Sequence, residues 1–357
     1  MKETLKSREL TSILINIILI KTIISYPRKI MESVGNSAWI VSLYITVLML
    51  IILFLINKIY NYSEPILEKA YKSGGKIFRY VIGISITFML ILSMTSIVRL
   101  YPESVKIILL PKTPIGIIVF ILGIASVLGV FCGINAIGRI SYVFIPLSVI
   151  IMAFSIILLI PHMNINNLTP ISGYGIKENF LNGTTFLSSF ADIIVLFILP
   201  VQEKDRKKLS VTGYASILIS GIIMTVIMLC YCMVFPHGVS EDFLMPYYQL
   251  TRVAQIGEMF TRIEALFEFI WTILVMLYFS IYLYVISNVW AKIFNLKYHK
   301  PLAVPFMITV SFLALLPSIY LDFDDNFSWY SLAMIFISIG VPIIVGIADN
   351  LKKRKVK

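Results

Sequence analysis

Charge is scarce in this sequence. Only 14% of its 357 residues are Asp, Glu, Lys or Arg and 59% are hydrophobic, a balance that excludes a soluble globular domain and implies a polytopic membrane protein. Cysteine is scarce too. Cys132, Cys230 and Cys232 all lie in apolar runs, and the Cys-x-Cys pair lacks the second ligand pair of a zinc site, so all three read as packing residues. His162, His237 and His299 are isolated, in or beside predicted loops, and form neither a metal cluster nor a Ser-His-Asp arrangement. No enzyme, metal or cofactor is expected. A cleavable signal peptide is missing as well, because the first apolar run outlasts a signal core and no small-residue cleavage site follows it. Acidic residues are the minority sign, 19 against 30 basic ones for a net charge of +11. The basic residues are spread through connecting segments, which argues for membrane topology and against a nucleic-acid partner.

What is present in abundance is apolar sequence of bilayer-crossing length. Ten such stretches are predicted: Leu10 to Val34, Ala38 to Ile59, Phe78 to Leu100, Ile115 to Ile134 and Ser141 to Ile160, then Gly183 to Pro200, Val211 to Phe235, Ala265 to Trp290, Leu302 to Tyr320 and Trp329 to Ala348. Trp39, Trp290 and Trp329 fall at predicted span ends, where an amphipathic ring suits the headgroup layer. With the N-terminus inside, twenty-one Lys and Arg face the cytoplasm and eight face out, so both termini are expected to be cytoplasmic. One membrane domain results, with helices 1–5 over about 10–160, helices 6–10 over about 183–348 and a basic tail at 349–357.

The thirtieth basic residue, Lys21, is left within the membrane, eleven residues past Leu10 and so near the middle of a hydrocarbon core of roughly 30 Å. A charge there costs about 2.5–3.5 kcal/mol on insertion scales and needs a partner or a polar cavity. Thr22, Ser25 and Pro27 beside it weaken the helix where backbone could open towards a ligand. The sixth stretch shares the peculiarity: Asn182, Gly183, Thr184, Thr185, Ser188, Ser189 and Asp192 make its first half polar. Interrupted spans at positions one and six of ten are what two inverted five-helix repeats produce, although Ser188 or Ser189 alone could simply bond back to its own helix.

These residues carry a family resemblance. TSILINIILIKTIISYPR followed by GNSAWIV, then SSFADIIVLFILP and FTRIEALFEFIWTILVMLYFSIYLY, resemble the B subunits of bacterial spore germinant receptors, the endospore germination permeases, essentially from end to end. Pro27 with Arg28, and Arg262 with Glu264, are the more specific marks. The resemblance implies the LeuT-like fold of amino acid/polyamine/organocation transporters, with broken helices 1 and 6 around the substrate and helices 3 and 8 completing the pocket. It also implies nutrient sensing in the inner membrane of a dormant spore, in company with a larger membrane-bound A subunit and a C-subunit lipoprotein. Relatives commonly carry glycine before the Pro-Arg pair, where this chain has Ile20, Lys21 and Thr22. An altered pocket follows, and a fixed ammonium in place of a coupling sodium ion.

Lys21 and Asp192 share a similar depth and are natural partners, either as a ligand-responsive pair or as a packing pair. The expected ligand-binding set is Lys21, Thr22, Ser25, Ser96, Gly183, Thr184, Ser188, Ser189, Asp192, Trp271 and Tyr278. Ser93, Thr95, Ser96 and Arg99 share the outer half of span three, and Arg99 is expected to snorkel rather than to bind a carboxylate. Trp271, Tyr278 and Tyr282 recur at helical spacing along span eight, as pocket wall or as packing. Glu258 with Arg262 reads as surface charge and Glu264 with Glu268 as mutual repulsion unless Arg262 or another partner intervenes, all of them as interface or gate residues, and Asp322, Asp324 and Asp325 read as a solvated outer loop. The segment EKDRKKL and the tail KKRKVK suit anionic lipid or an acidic partner surface. The expected function is a nutrient-sensing receptor subunit. The competing class is a proton-coupled amino acid transporter acting alone.

Overall fold

The computed structural model describes residues 3–24, 26–236, 238, 243, 246–254, 263–316 and 327–356, and the described chain is helical, without strands beyond one isolated bridge between Leu5 and Val201. Its long helices are α1 (Ser7–Ile24), α3 (Ala38–Ile59), α4 (Ile66–Ile108), α5 (Ile115–Cys132), α6 (Ile134–Leu159), α8 (Leu209–Val234), α10 (Ile263–Phe294), α11 (Ala303–Leu315) and α12 (Phe327–Val356). Shorter ones are α2 (Tyr26–Val34), α7 (Ile176–Thr185) and α9 (Pro246–Val253). Eight helical stretches are long and apolar enough to cross a bilayer, and the chain is a multi-pass membrane protein. Of the two other predicted spans, α1 carries Arg8, Glu9 and Lys21 within eighteen residues, and α11 has thirteen residues before the described chain pauses at Leu316.

Glycine decides two boundaries. Gly75 sits at φ +76° within α4 and divides a first segment, Ile66 to Gly74, from the long apolar part. Gly133 sits at φ +88° between α5 and α6, a conformation that L side chains adopt rarely. Close helix contact explains a third glycine: a Cβ on Gly221 of α8 would overlap the Thr46 side chain of α3, its Cβ at 2.8 Å.

The sixth predicted span is the least regular. α7 continues directly into a 3-10 helix over Phe186–Phe197, all twelve of whose residues are buried. Runs of that geometry usually last three or four residues because their hydrogen bonds are poorer, so tertiary packing on every side must maintain this one. With three residues per turn, Phe186, Ser189 and Asp192 share one face and Ser188 and Ala191 another. Ser338 of α12 donates to the Ala191 carbonyl at 2.5 Å, and α1, α3, α8 and α12 pack around the run.

Candidate functional site

Lys21, three residues before the end of α1, meets Asp192 of the 3-10 run with Nζ 2.7 Å from Oδ2. Asp192 is fully buried and the Lys21 side chain keeps 11% exposure. The pair joins helices that lie 171 positions apart in the chain. A carboxylate with no access to water needs further donors, and α4 and α10 provide them. Ser93 Oγ lies 3.5 Å from Asp192 Oδ1, 3.0 Å from the Tyr282 hydroxyl and 3.2 Å from that of Tyr278, and Tyr282 also hydrogen-bonds Asp192. Tyr278 and Tyr282 lie one helical turn apart with ring centroids at 4.3 Å. α12 closes the cluster: Met334 Sδ lies 4.0 Å from Lys21 Nζ, and the Tyr330 hydroxyl 3.4 Å from Ser96 Oγ. Ser96 also donates to the Ser93 carbonyl at 2.8 Å.

Of the expected binding residues, Lys21, Asp192, Tyr278 and Ser96 therefore belong to one buried polar cluster. Ser188 and Ser189 are buried in the same run, and Ser188 donates to the Thr185 carbonyl of its own turn. Gly183 packs on Val41 of α3, and Thr184 donates to the Leu181 carbonyl. Both stand about 15 Å along the helix from Asp192, at the 3-10 and α rises. Trp271 lies two turns from Tyr278, stacked on Phe267 at 5.8 Å, so the aromatic stripe of α10 serves two places rather than one wall. Thr22 lies in α1. Ser25 lies outside the described residues, as do Glu258, Arg262, Asp322, Asp324 and Asp325. Arg99, expected to snorkel, is instead buried and pairs with Glu103 one turn on at 3.7 Å. The contributions of Tyr330, Met334 and Ser338 had no signal in the sequence: none is charged, and each meets its partner across more than 140 positions.

At the far end of α10 the N-terminal segment closes the bundle. Leu5 N donates to the Pro200 carbonyl at 2.9 Å and Gln202 N to that of Leu5 at 3.0 Å, while Ser7 Oγ meets Thr212 Oγ1 at 2.7 Å. Glu3 pairs with Lys300 at 2.8 Å and accepts from the Tyr284 hydroxyl at 2.9 Å, with His299 Nε2 at 3.7 Å. Glu3, Leu5 and Ser7 thus tie the start of α1 to the exit of the 3-10 run, to α8 and to the end of α10.

The sequence profile of the spore germination protein family matches residues 4–320. The chain belongs to that family. It is 27% identical over 358 residues to Spore germination protein A2 of Bacillus subtilis (strain 168), covering 96% of this chain and 94% of that protein. It is 28% identical over 319 residues to Spore germination protein YndE of the same organism, covering 87% and 84%. In this spore germination protein the Glu3 contacts are expected to depend on pH. Burial raises the Glu3 carboxyl, but its bonds from Lys300 and Tyr284 outweigh this and hold it below its ordinary 4.5. A depressed carboxylate contributes stability above the unfolded-state value and loses it as pH falls through the folded-state value. The native chain is therefore expected to melt above Glu3→Gln at neutral pH, and the gap to close as pH drops below 4.5. Thermal scans from pH 7 to 3 check this, and a gap that is constant with pH contradicts it.

Proposed function

We propose that the chain is the nutrient-sensing membrane subunit of a spore germinant receptor, set in the spore inner membrane with both termini in the cytoplasm. It recognises an amino acid or another small nutrient between helices 1 and 6 of a ten-span inverted repeat, and acts with a receptor A subunit and a C-subunit lipoprotein. The observation that carries this is the Lys21–Asp192 pair, which links the two helices within the stretch where one of them has 3-10 geometry. A zwitterionic amino acid brings one carboxylate and one ammonium. It can exchange the internal pair for two pairs with itself, leaving no buried charge uncompensated while the helices separate. Only a ligand with different affinity for the two arrangements shifts their populations, and a pair that must open to admit it supplies that difference. Ser96, Tyr278 and the hydroxyls around Asp192 then orient the ligand, with Thr22, Ser25, Gly183, Thr184, Ser188, Ser189 and Trp271 as further members of the route.

The cleft lined by Lys72, Lys76, Lys352, Lys353 and Arg354, of about 1020 Å³, is a cytoplasmic docking face for acidic lipid or an acidic partner surface in this reading. Cysteine labelling near Pro65, Asp205 and Lys297 is expected from the cytoplasmic side only. A nutrient screen on a deletion strain is expected to lose the response to one ligand class, with return on complementation. Concentrative uptake by the purified single chain under an imposed proton gradient would instead establish an autonomous transporter.

A further inference from the structure

We propose that a small cavity at the start of α10, at the opposite end of that helix from Glu3, binds an organic ammonium group on Glu268. The Glu268 side chain lines this cavity and keeps only 5% exposure. Its Oε1 accepts from the Tyr101 hydroxyl at 3.2 Å, and that hydroxyl also meets Thr272 Oγ1 at 2.6 Å. Among the described residues no lysine or arginine pairs with Glu268, and Arg99, the cation two residues before Tyr101 on α4, is engaged by Glu103. A buried carboxylate supported by one hydroxyl is incompletely compensated, so the cavity favours a positive occupant.

The walls decide which cation fits. Tyr247 and Phe267 have ring centroids 4.6 Å apart and Phe267 stacks on Trp271 at 5.8 Å, a continuous aromatic surface beside the carboxylate. Aromatic faces attract ammonium groups through the ring quadrupole, and more strongly away from water. Ile23, Ile24, Leu100 and Ile108 supply hydrocarbon, and Ser104 and Tyr248 complete the lining. A hard inorganic cation needs six or more oxygen ligands and finds too few here. The free space, about 40 Å³, admits an ammonium on a short alkyl stem rather than a bulky one. Glu268 stands ten residues before Tyr278 on α10, about 15 Å along the helix, so its carboxylate lies away from the Lys21–Asp192 pair; Ile23, Ile24 and Trp271 place the cavity beside the proposed nutrient route, but the site depends on Glu268 and its walls rather than on the sensing role.

The test uses the full chain in lipid nanodiscs and ethylammonium chloride as the probe, with tryptophan fluorescence as the readout because Trp271 forms part of the wall. A saturable change is expected with ethylammonium and not with sodium chloride at equal ionic strength or with ethanol. Glu268→Gln, which keeps the shape and removes the charge, is expected to weaken binding at least tenfold. Leu100→Phe, which leaves the carboxylate in place and fills the cavity, is expected to abolish it, and this second variant keeps the test decisive if Glu268→Gln fails to fold. Unchanged binding in either folded variant, an unsaturable response, or an equal response to sodium overturns the proposal. Spore behaviour does not enter the readout, so its outcome is independent of the germination screen.

Discussion

Lys21→Met and Asp192→Asn are each expected to reduce the amount of folded protein sharply and to abolish the nutrient response, while the double variant recovers the amount. The physical reason is an asymmetry. A buried ion pair contributes little net stability over apolar residues of the same size, whereas removing one partner leaves the other uncompensated, at a cost of about 3–5 kcal/mol. Asp192 has no exposure through which water could relieve that cost, and Lys21 has little. The orphaned Lys21 has Met334 as its remaining neighbour, a weak acceptor at 4.0 Å. The orphaned carboxylate keeps Ser93 and Tyr282, so Lys21→Met is expected to be the milder of the two. Protein amount is read by immunoblot of membranes and response by germination of spores carrying each variant. Recovery of amount without response assigns the pair to sensing. Recovery of both makes it a packing device. If the two losses simply add, the residues are not coupled and the pairing carries no energy of its own.

That pair was the most legible feature of the chain, because a charge within an apolar run is conspicuous and few residues could answer it. Its surroundings were not. Ser93 looked like any serine on a membrane helix, and what distinguishes it is that α10 places two tyrosine hydroxyls within 3.2 Å of it, a fact of helix packing that no local pattern records. Glu268 was read against Glu264, four positions earlier, as repulsion, whereas its bond comes from Tyr101 on another helix. The polar first half of the sixth span was visible, but not its division: Gly183 packs closely on Val41, and the irregular geometry begins at the 3-10 run. Composition does not separate that run from an α-helix. It is held by packing on several sides, with Ser338 adding a hydrogen bond to the Ala191 carbonyl.

Ser93→Ala is expected to lower stability by about 1–3 kcal/mol and to raise the nutrient concentration needed for response, out of proportion to the removal of one oxygen. The argument is one of proton accounting. A serine hydroxyl has one proton to donate and two lone pairs, and Ser93 Oγ faces three oxygens, on Asp192, Tyr278 and Tyr282. As a carboxylate paired with Lys21, Asp192 can only accept, which directs the serine proton to it and leaves the tyrosines to donate. Tyr278 has the Ser93 carbonyl at 3.3 Å as a second acceptor and Tyr282 has Asp192 itself, so each tyrosine can satisfy itself in two ways. The serine is the group that makes these alternatives one network. Its removal takes a donor from Asp192 Oδ1 in a fully buried site, whereas Ser93→Thr keeps the hydroxyl and is expected to retain the response. The diagnostic comparison is Ser93→Ala in the Asp192→Asn background. There the carboxylate no longer polarises the chain of hydroxyls, and the same substitution is expected to cost less than half of what it costs in the native chain. Equal costs in both backgrounds, measured by thermal denaturation, would show that Ser93 serves the tyrosines alone and is not part of the charged site.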